Sequence, residues 1–596
     1  MPTVLHRLAR WAETDPMSAA QMFKRDGAWE PITARQFRDR VHQLALFLES
    51  RGITAADSGC ILAYNSPQWV HLDLAVLLLG CRSAGVYPNS TVKDIQYILN
   101  HTEAKVLGVQ NKEYFEKLGG QLPERIKLVI VFDGDTSVSP KAVGYDAAIA
   151  EGARLAAAKG SRTMEEMLSR IDPDAGAFMI YTSGTTGSPK GALLSHDNIA
   201  FTADIAARTW KLPFAEGSLF SFLPLCHIAE KMQNVGVGIS QRYTTWFCTK
   251  FDNVSKELPE VEPTLLLSVP RLWEKMMESV MGKVASGKGA KKALAEWALA
   301  VGARVADARY SGRRPSMIDL AQLQLADKLV LSKVRAAMGL RRADTLASGA
   351  AALSAHVSKW FRSLGLEILE DFGQTESTGV ICMTERGVES AGTVGRAVPG
   401  LEFKIADDGE ILTRGRHVFK GYFKDDAATA AALEGGWLHT GDLGELDSRG
   451  LVRIKGRKKE ILKTSGGKMV APLPIEETLK AAAIIGQVCM VGDGRKFLSA
   501  LITLSDNALA DYRKSHGANG AVLITDAAIV GEVKRHIDEL NKSLASYEQI
   551  KRFAVISREF SIADGEMTPT LKMKRNVIEQ RFRDVIDSFY AGASRD

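Results

Sequence analysis

Tyr181-Thr182-Ser183-Gly184-Thr185-Thr186-Gly187-Ser188-Pro189-Lys190-Gly191 is a Gly-, Ser- and Thr-rich turn that ends in a lysine. The four apolar residues before Tyr181, 177–180, read as a short buried strand. The turn therefore leaves a strand end, where open α/β sheets hold their ligands. Glycines let backbone N–H groups approach phosphate oxygens closely; the hydroxyls of Thr182, Ser183, Thr185 and Thr186 add donors, and Lys190 adds a fixed charge. Such a loop wraps a polyphosphate and points to ATP chemistry. It is not a Walker A loop, because Lys190 follows Pro189 and precedes Gly191 instead of standing in Gly-Lys-Ser/Thr. A plain linker of this composition would need neither the buried strand before it nor the Pro-Lys-Gly after it.

Around this turn lie 596 residues, too many for one core, so two or more domains are expected. The fold class is α/β: short apolar runs at 60–64, 127–132, 265–269 and 367–369 alternate with helical patterns up to about residue 455. Leu294, Trp297, Ala298, Val301, Val305 and Ala308 fall on one helical face, and 317–338 continues with a second helical pattern. After Gly456 comes the basic run Arg457-Lys458-Lys459-Glu460 and then a smaller α/β unit, which marks a hinge. The expected division is 1–456, with a helical insertion at about 276–340, and 457–596.

Composition narrows the class further. The longest strongly apolar stretch, 74–79, is far short of the ~20 residues that span a bilayer. The N-terminus lacks the basic and apolar segments of a secretory signal, so a cytoplasmic protein is expected. Six cysteines without CxxC pairs suit free thiols, not zinc or disulfides. A net charge of +6 is too small to imply nucleic acid as a partner. Lys283, Lys288, Lys291, Lys292, Arg304, Arg309, Arg313 and Arg314 nevertheless concentrate in one segment. That segment is either a solvated helical face, a peripheral contact with anionic lipid at the inner membrane face, or a surface that collects fatty-acid micelles.

The loop and its surroundings resemble the adenylate-forming superfamily, which includes acyl-CoA synthetases, aryl-CoA ligases, luciferases and peptide-synthetase adenylation domains. In Asp371-Phe372-Gly373-Gln374-Thr375-Glu376, similar to the family's aromatic-Gly-x-Thr-Glu block, Phe372 can stack on adenine and Thr375 can bind phosphate. Glu376 is a hard oxygen ligand for Mg²⁺, with Thr185 of the loop as a second. The resemblance assigns Ser348, Gly349 and Ala350 to the adenine, although Ala352 stands where the family usually has proline. Asp442, in Thr440-Gly441-Asp442, is expected to accept the ribose hydroxyls, with Arg457 as a second contact. His227 matches the position that closes over the acyl and pyrophosphate groups, and no proton removal is assigned to it, since a carboxylate nucleophile is already ionised.

Further implications follow from the same resemblance. Lys572 in Thr568-Pro569-Thr570-Leu571-Lys572-Met573-Lys574 matches the lysine that reaches the α-phosphate from the small domain, with Lys574 as its rival. Lys459 matches the hinge. Gly466 and Gly467 match a loop that lines the thiol tunnel, although a plain hairpin has the same composition. The five residues 235–239 read either as an acyl tunnel wall or as close packing. The blocks Val269-Pro270-Arg271-Leu272-Trp273-Glu274-Lys275 and Asp344-Thr345-Leu346-Ala347-Ser348-Gly349, with helices inserted between them, resemble long-chain acyl-CoA synthetases. The implied activity is a fatty acid:CoA ligase for medium to long chains, using ATP, Mg²⁺ and coenzyme A. A carrier-protein acyl ligase, an aryl ligase and a non-catalytic acyl-adenylate-binding regulator are the alternatives.

Overall fold

The computed structural model describes residues 2–182, 189–516, 522–568 and 572–591. Two large sheets form the N-terminal part. One has eight strands in the order Gly421–Tyr422, Lys190–Ser195, Gly176–Thr182, Arg82–Val86, Ser58–Leu62, Ala104–Val109, Leu128–Val131, Ala142–Gly144. The other has nine, in the order Arg396–Ala397, Cys382–Met383, Ile368–Phe372, Thr345–Ser348, Leu265–Ser268, Ser218–Ser221, Thr244–Phe247, Ala19–Arg25, Ala28–Thr33. Strands at the middle of each sheet are parallel, and Ser58–Leu62, Leu265–Ser268 and Thr345–Ser348 are buried at every position. Burial on both faces explains why these segments read as continuous apolar runs instead of alternating ones.

The apolar stretch 74–79 lies largely in the helix Pro67–Leu78, whose start is set by Ser66 accepting the Trp69 N–H at 3.2 Å and by Pro67 in the first turn. Every residue of this helix but Gln68 is buried. It belongs to one core that includes Ile61 and Phe178 of the first sheet and Leu219, Leu265 and Ala347 of the second. Each of its buried leucines contributes about 2 kcal/mol. All six cysteines are buried and unpaired.

The region expected as a helical insertion, about 276–340, is covered by Pro270–Ser286, which begins ahead of it, Gly289–Tyr310, Met317–Ala326 and Ser332–Ala337, with a wider turn at Asp327–Leu331. Ala298, Val301 and Val305 are buried as their spacing predicts, and a Cβ on Gly302 would stand 1.9 Å from the Ser363 carbonyl oxygen, so this helix meets Ala355–Ser363 backbone to backbone. Leu294, expected on the same face near the start of this helix, is 38% exposed. The next helix packs through Leu323 and Ala326, and the wider turn after it through Leu331, while Met317 and Ile318 remain 81% and 71% exposed. Among the described residues, no helix is long and apolar enough to cross a membrane.

An antiparallel sheet of Glu402–Ile405, Glu410–Arg414, Leu438–Leu446 and Val452–Arg457 leads into the turn Lys458–Glu460. Beyond it, the C-terminal domain is built on Ile485–Val491, Leu498–Leu504, Ile550–Ile556 and Leu523–Ile524, with its own core of Val488, Met490, Ile502, Val533 and Ile537.

Candidate active site

Ser183, Gly184, Thr185, Thr186 and Gly187 lie outside the described residues, as do Pro569, Thr570 and Leu571. The strands on either side of the loop pair antiparallel, with Thr182 opposite Lys190. Lys190 Nζ stands 3.5 Å from Asp425 and 5.0 Å from the centre of the Tyr422 ring. Tyr422 in turn donates its hydroxyl hydrogen to Glu376 Oε1 at 2.6 Å. The short edge strand Gly421–Tyr422, paired with Lys190–Ser195, thus ties the phosphate-loop lysine to the carboxylate expected to hold Mg²⁺. Neither Tyr422 nor Asp425 stands in a motif, and only their juxtaposition reveals them.

The Glu376 turn is buried and tied to its neighbours. Thr375, Glu376 and Ser377 are buried in one helical turn, and Gln374 Nε2 donates to the Thr440 carbonyl at 3.2 Å, linking this turn to the strand that carries Asp442. Gly373 could carry no side chain, since a Cβ would lie 2.3 Å from the Gly379 oxygen. Ser348 and Gly349 are buried, and the Asp371 carboxylate sits where a Gly349 Cβ would be, at 2.5 Å. Ala350 has φ +70°, a left-handed turn that exposes the backbone edge beside it. Among the described residues Asp371 Oδ1 and Ser348 Oγ are buried without partners, and burial pushes the Asp371 carboxyl up to about 7. A polar ligand edge at this turn would satisfy both. Phe372 is half-buried and packs against Ile381, Cys382, Val394, Ile411 and Val452.

Asp442 and Arg457 face each other across two paired strands, and Arg457 Nε donates to Asp442 Oδ1 at 2.8 Å. The second carboxylate oxygen of Asp442 is buried with no partner among the described residues. Burial raises the Asp442 carboxyl above its ordinary value, while the charges of Arg457 and Lys572 oppose the rise. Lys572, half-buried, is pulled down to about 8 by burial first and by Arg457 second, against the attraction of Asp442, Glu376 and Glu460. His227 is held neutral, at about 3, by burial and by the nearby Lys572 charge. Its Nδ1 accepts the Ala229 N–H at 3.3 Å, which leaves Nε2 as the protonated nitrogen and makes the ring a donor, not a base. The charge of Lys572 therefore acts on Asp442, Arg457, Glu376 and His227, which brings side chains of both domains near one another. Lys574 instead opens the helix Arg575–Arg581, its N–H bonded to the Glu566 carbonyl.

Lys459 is exposed in the turn Lys458–Glu460, and its neighbour Lys458 is anchored to Asp408 at 2.6 Å and Glu410 at 3.2 Å. Gly466 and Gly467 form the tip of the hairpin Leu462–Lys463/Met469–Val470, closed by Gly467 N–H to the Thr464 carbonyl and braced by Ser465 N–H to the Arg495 carbonyl. Residues 235–239 belong to a buried π-helical turn, Met232–Gly238, and its continuation. Gly236 faces Met232 and Ala203, and Gly238 faces Leu219, so the close-packed alternative is the one observed. A cavity of about 340 Å³ lies under the helical insertion, lined by Val305, Arg309, Tyr310, Arg362 and Glu367, and shares no residue with the Lys572 cluster.

Two sheets joined by a buried helix, a small C-terminal domain and this cluster between them define an adenylate-forming enzyme, and the chain belongs to the AMP-binding enzyme family. The family model of the AMP-binding enzyme matches residues 8–423, and that of the AMP-binding enzyme C-terminal domain matches 459–594. Among its relatives, the long-chain-fatty-acid–CoA ligase FadD15 of Mycobacterium bovis is 33% identical over 580 residues, covering 95% of this chain and 93% of that protein. The long-chain-fatty-acid–CoA ligase ACSBG2 of Rattus norvegicus is 32% identical, covering 94% and 89%. In fold, the chain is similar to the anthranilate CoA ligase AuaEII (TM-score 0.72, 18% identity, 98% of each chain). ATP-bound MatB from Rhodopseudomonas palustris is a second such match (TM-score 0.70, 20% identity, 98% of this chain and 99% of that one).

Proposed function

We propose that the protein joins long-chain fatty acids to coenzyme A through an acyl-adenylate, with residues 1–456 binding ATP and the acyl group and a mobile 457–596 domain supplying Lys572. The observation that carries this reading is the convergence of Lys572 with Asp442, Arg457, Glu376 and His227. In the first half reaction a fatty carboxylate oxygen bonds to the α-phosphorus as the bond to pyrophosphate breaks. Lys572 and the Nε2–H of His227 stabilise the charge that grows on the phosphoryl oxygens. Asp442 takes the ribose hydroxyls on its unpartnered oxygen, and the backbone at Gly349 and Ala350 lies along the adenine.

Mg²⁺ fits this site as an ion held mainly by the nucleotide. Among the described residues no three acidic, His or Cys side chains form a metal cage, while Glu376, oriented by Tyr422, offers one hard carboxylate. When bound, the ion neutralises phosphate charge. In the second half reaction the thiol sulfur of coenzyme A bonds to the acyl carbon, AMP leaves, and the thiol proton passes to solvent. Lys572 has no part in that step, so rotation about Lys459 carries it away, and the hairpin at Gly466 and Gly467 takes a place along the thiol path.

The reading includes a cytoplasmic protein in peripheral contact with anionic lipid, supported by the exposed Met317 and Ile318 beside Arg313 and Arg314. The test of the enzymatic reading is AMP formation dependent on added acid, across chain lengths and with aryl acids, with and without coenzyme A. AMP and acyl-CoA in equal amounts with long chains support it. Turnover only with aryl acids, or only with a carrier protein as acceptor, overturns it.

A further inference from the structure

Arg271 opens the helix Pro270–Ser286 at the base of the helical insertion, anchored by the fully buried Trp273. Its side chain is only 12% exposed, and it meets four carboxylates, two from each domain. Within the N-terminal domain, Nη1 lies 3.5 Å from Glu274 and 3.3 Å from Glu278. From the C-terminal domain, Asp506 is 3.3 Å from Nη2 and Glu559 also pairs with Nη2. Lys275 adds a second pair to Asp506 at 3.3 Å, and Asn507 donates to the Glu278 carbonyl at 3.3 Å. Two cations thus hold together four acids that would repel each other across the domain boundary if Arg271 were absent. None of these residues belongs to the cluster around Lys572, but both arrangements exist in the same domain pose.

We propose that Arg271 is a positioning residue whose ion pairs with Asp506 and Glu559 latch the C-terminal domain in the adenylating pose. This rests on the two-pose reading given above. The latch acts on the balance between half reactions, not on the chemistry of either. Rotation for thioester formation leaves Arg271 neutralised by Glu274 and Glu278, so releasing it strands no buried cation. Because the pairs are partly exposed, salt weakens them.

Two variants test the latch. Arg271→Gln removes its centre; the pair Asp506→Asn with Glu559→Gln removes only the C-terminal half and keeps the N-terminal domain's own ion pairs, so it carries the test if the first fails to fold. Spin labels at Ser286→Cys and Ser515→Cys, both exposed positions in a protein whose native cysteines are all buried, report the domain distance whether or not the enzyme turns over. Both variants are expected to shift the distance distribution and to slow acyl-AMP formation about tenfold, a size set by a modest population shift. Thioester formation from supplied acyl-AMP should hold or rise. Salt at about 1 M, where the screening length is about 3 Å, should bring the parent toward the variants. Arg304→Gln, which breaks an outward pair with Asp319, should change none of these readouts. An unchanged distance distribution and unchanged half-reaction ratio in the folded double variant overturn the latch. If the parent makes no acyl-AMP while the variants still shift the distance, the enzymatic reading is overturned and Arg271 stands only as a latch between the two domains.

Discussion

Replacing Lys572 with methionine should separate activity from stability, because the same surroundings that make this lysine useful make it costly. Its pKa falls from 10.5 to about 8 through burial and the Arg457 charge. A drop of that size corresponds to about 3 kcal/mol, which partial access to solvent reduces to about 1 to 2 kcal/mol. The sign follows from proton counting. Between pH 8 and 10.5 the unfolded chain holds a proton that the folded one has lost, so stability rises with pH across that window and the penalty is complete below pH 8. Lys572→Met should therefore unfold at higher denaturant concentration than the parent at pH 7, and the difference should shrink by pH 10. Adenylation should slow roughly 10² to 10³-fold, equivalent to about 3 to 4 kcal/mol of lost charge stabilisation. Pyrophosphate release measures the first half reaction, and acyl-CoA formed from pre-made acyl-adenylate measures the second, which should survive. In the parent, kcat/KM for adenylation should fall as pH rises through about 8, since the charged amine is the working form. Lys574→Ala is the control. Normal adenylation in Lys572→Met together with its loss in Lys574→Ala would falsify the assignment, and an unchanged denaturation midpoint at pH 7 would refute the electrostatic argument.

Three other perturbations address the rest of the site. Tyr422→Phe removes the hydrogen bond that orients Glu376 and should raise the Mg²⁺ concentration needed for half-maximal adenylation several-fold, a loss of about 1 to 2 kcal/mol; identical Mg²⁺ titrations would separate Tyr422 from the metal. Lys459→Pro restricts both itself and Lys458, so acyl-AMP should form at a near-normal rate while thioester formation collapses; equal losses in both would indicate a misfolded hinge. For the membrane contact, Met317→Ser with Ile318→Ser should weaken sedimentation with anionic vesicles at low salt more than neutralising Lys288, Lys291 and Lys292 does, because two exposed apolar side chains stand beside Arg313 and Arg314. Equal effects, or none, count against that edge as the contact.

Local structure is readable where the motif residues are concentrated in short runs. The strand before the phosphate loop, the Thr375-Glu376 turn and the Gly441-Asp442 pair each need particular residue types within a few positions, so they show in the chain itself. What escaped is long-range. Tyr422 reaches Glu376 across 46 residues, and Arg271 reaches Glu559 across 288. No pattern in either neighbourhood forecasts its partner. Periodicity found the helices at 317–338, although their first apolar residues, Met317 and Ile318, stay exposed. At 235–239 it could not choose between wall and core, because Gly and branched residues suit both, and only the turn geometry decides.

On the proposed reading, in which nucleotide binds beside Lys572, the lowered pKa of this lysine makes nucleotide capture a proton-consuming event. Near pH 8 about half of the free molecules carry the ammonium. A polyphosphate entering the space between Asp442, Arg457 and Glu376 adds negative charge beside that amine, and so draws a proton from the medium as it binds. The heat of ATP binding accordingly depends on the ionisation enthalpy of the buffer, and the apparent affinity for nucleotide weakens with alkalinity even before any bond is made or broken.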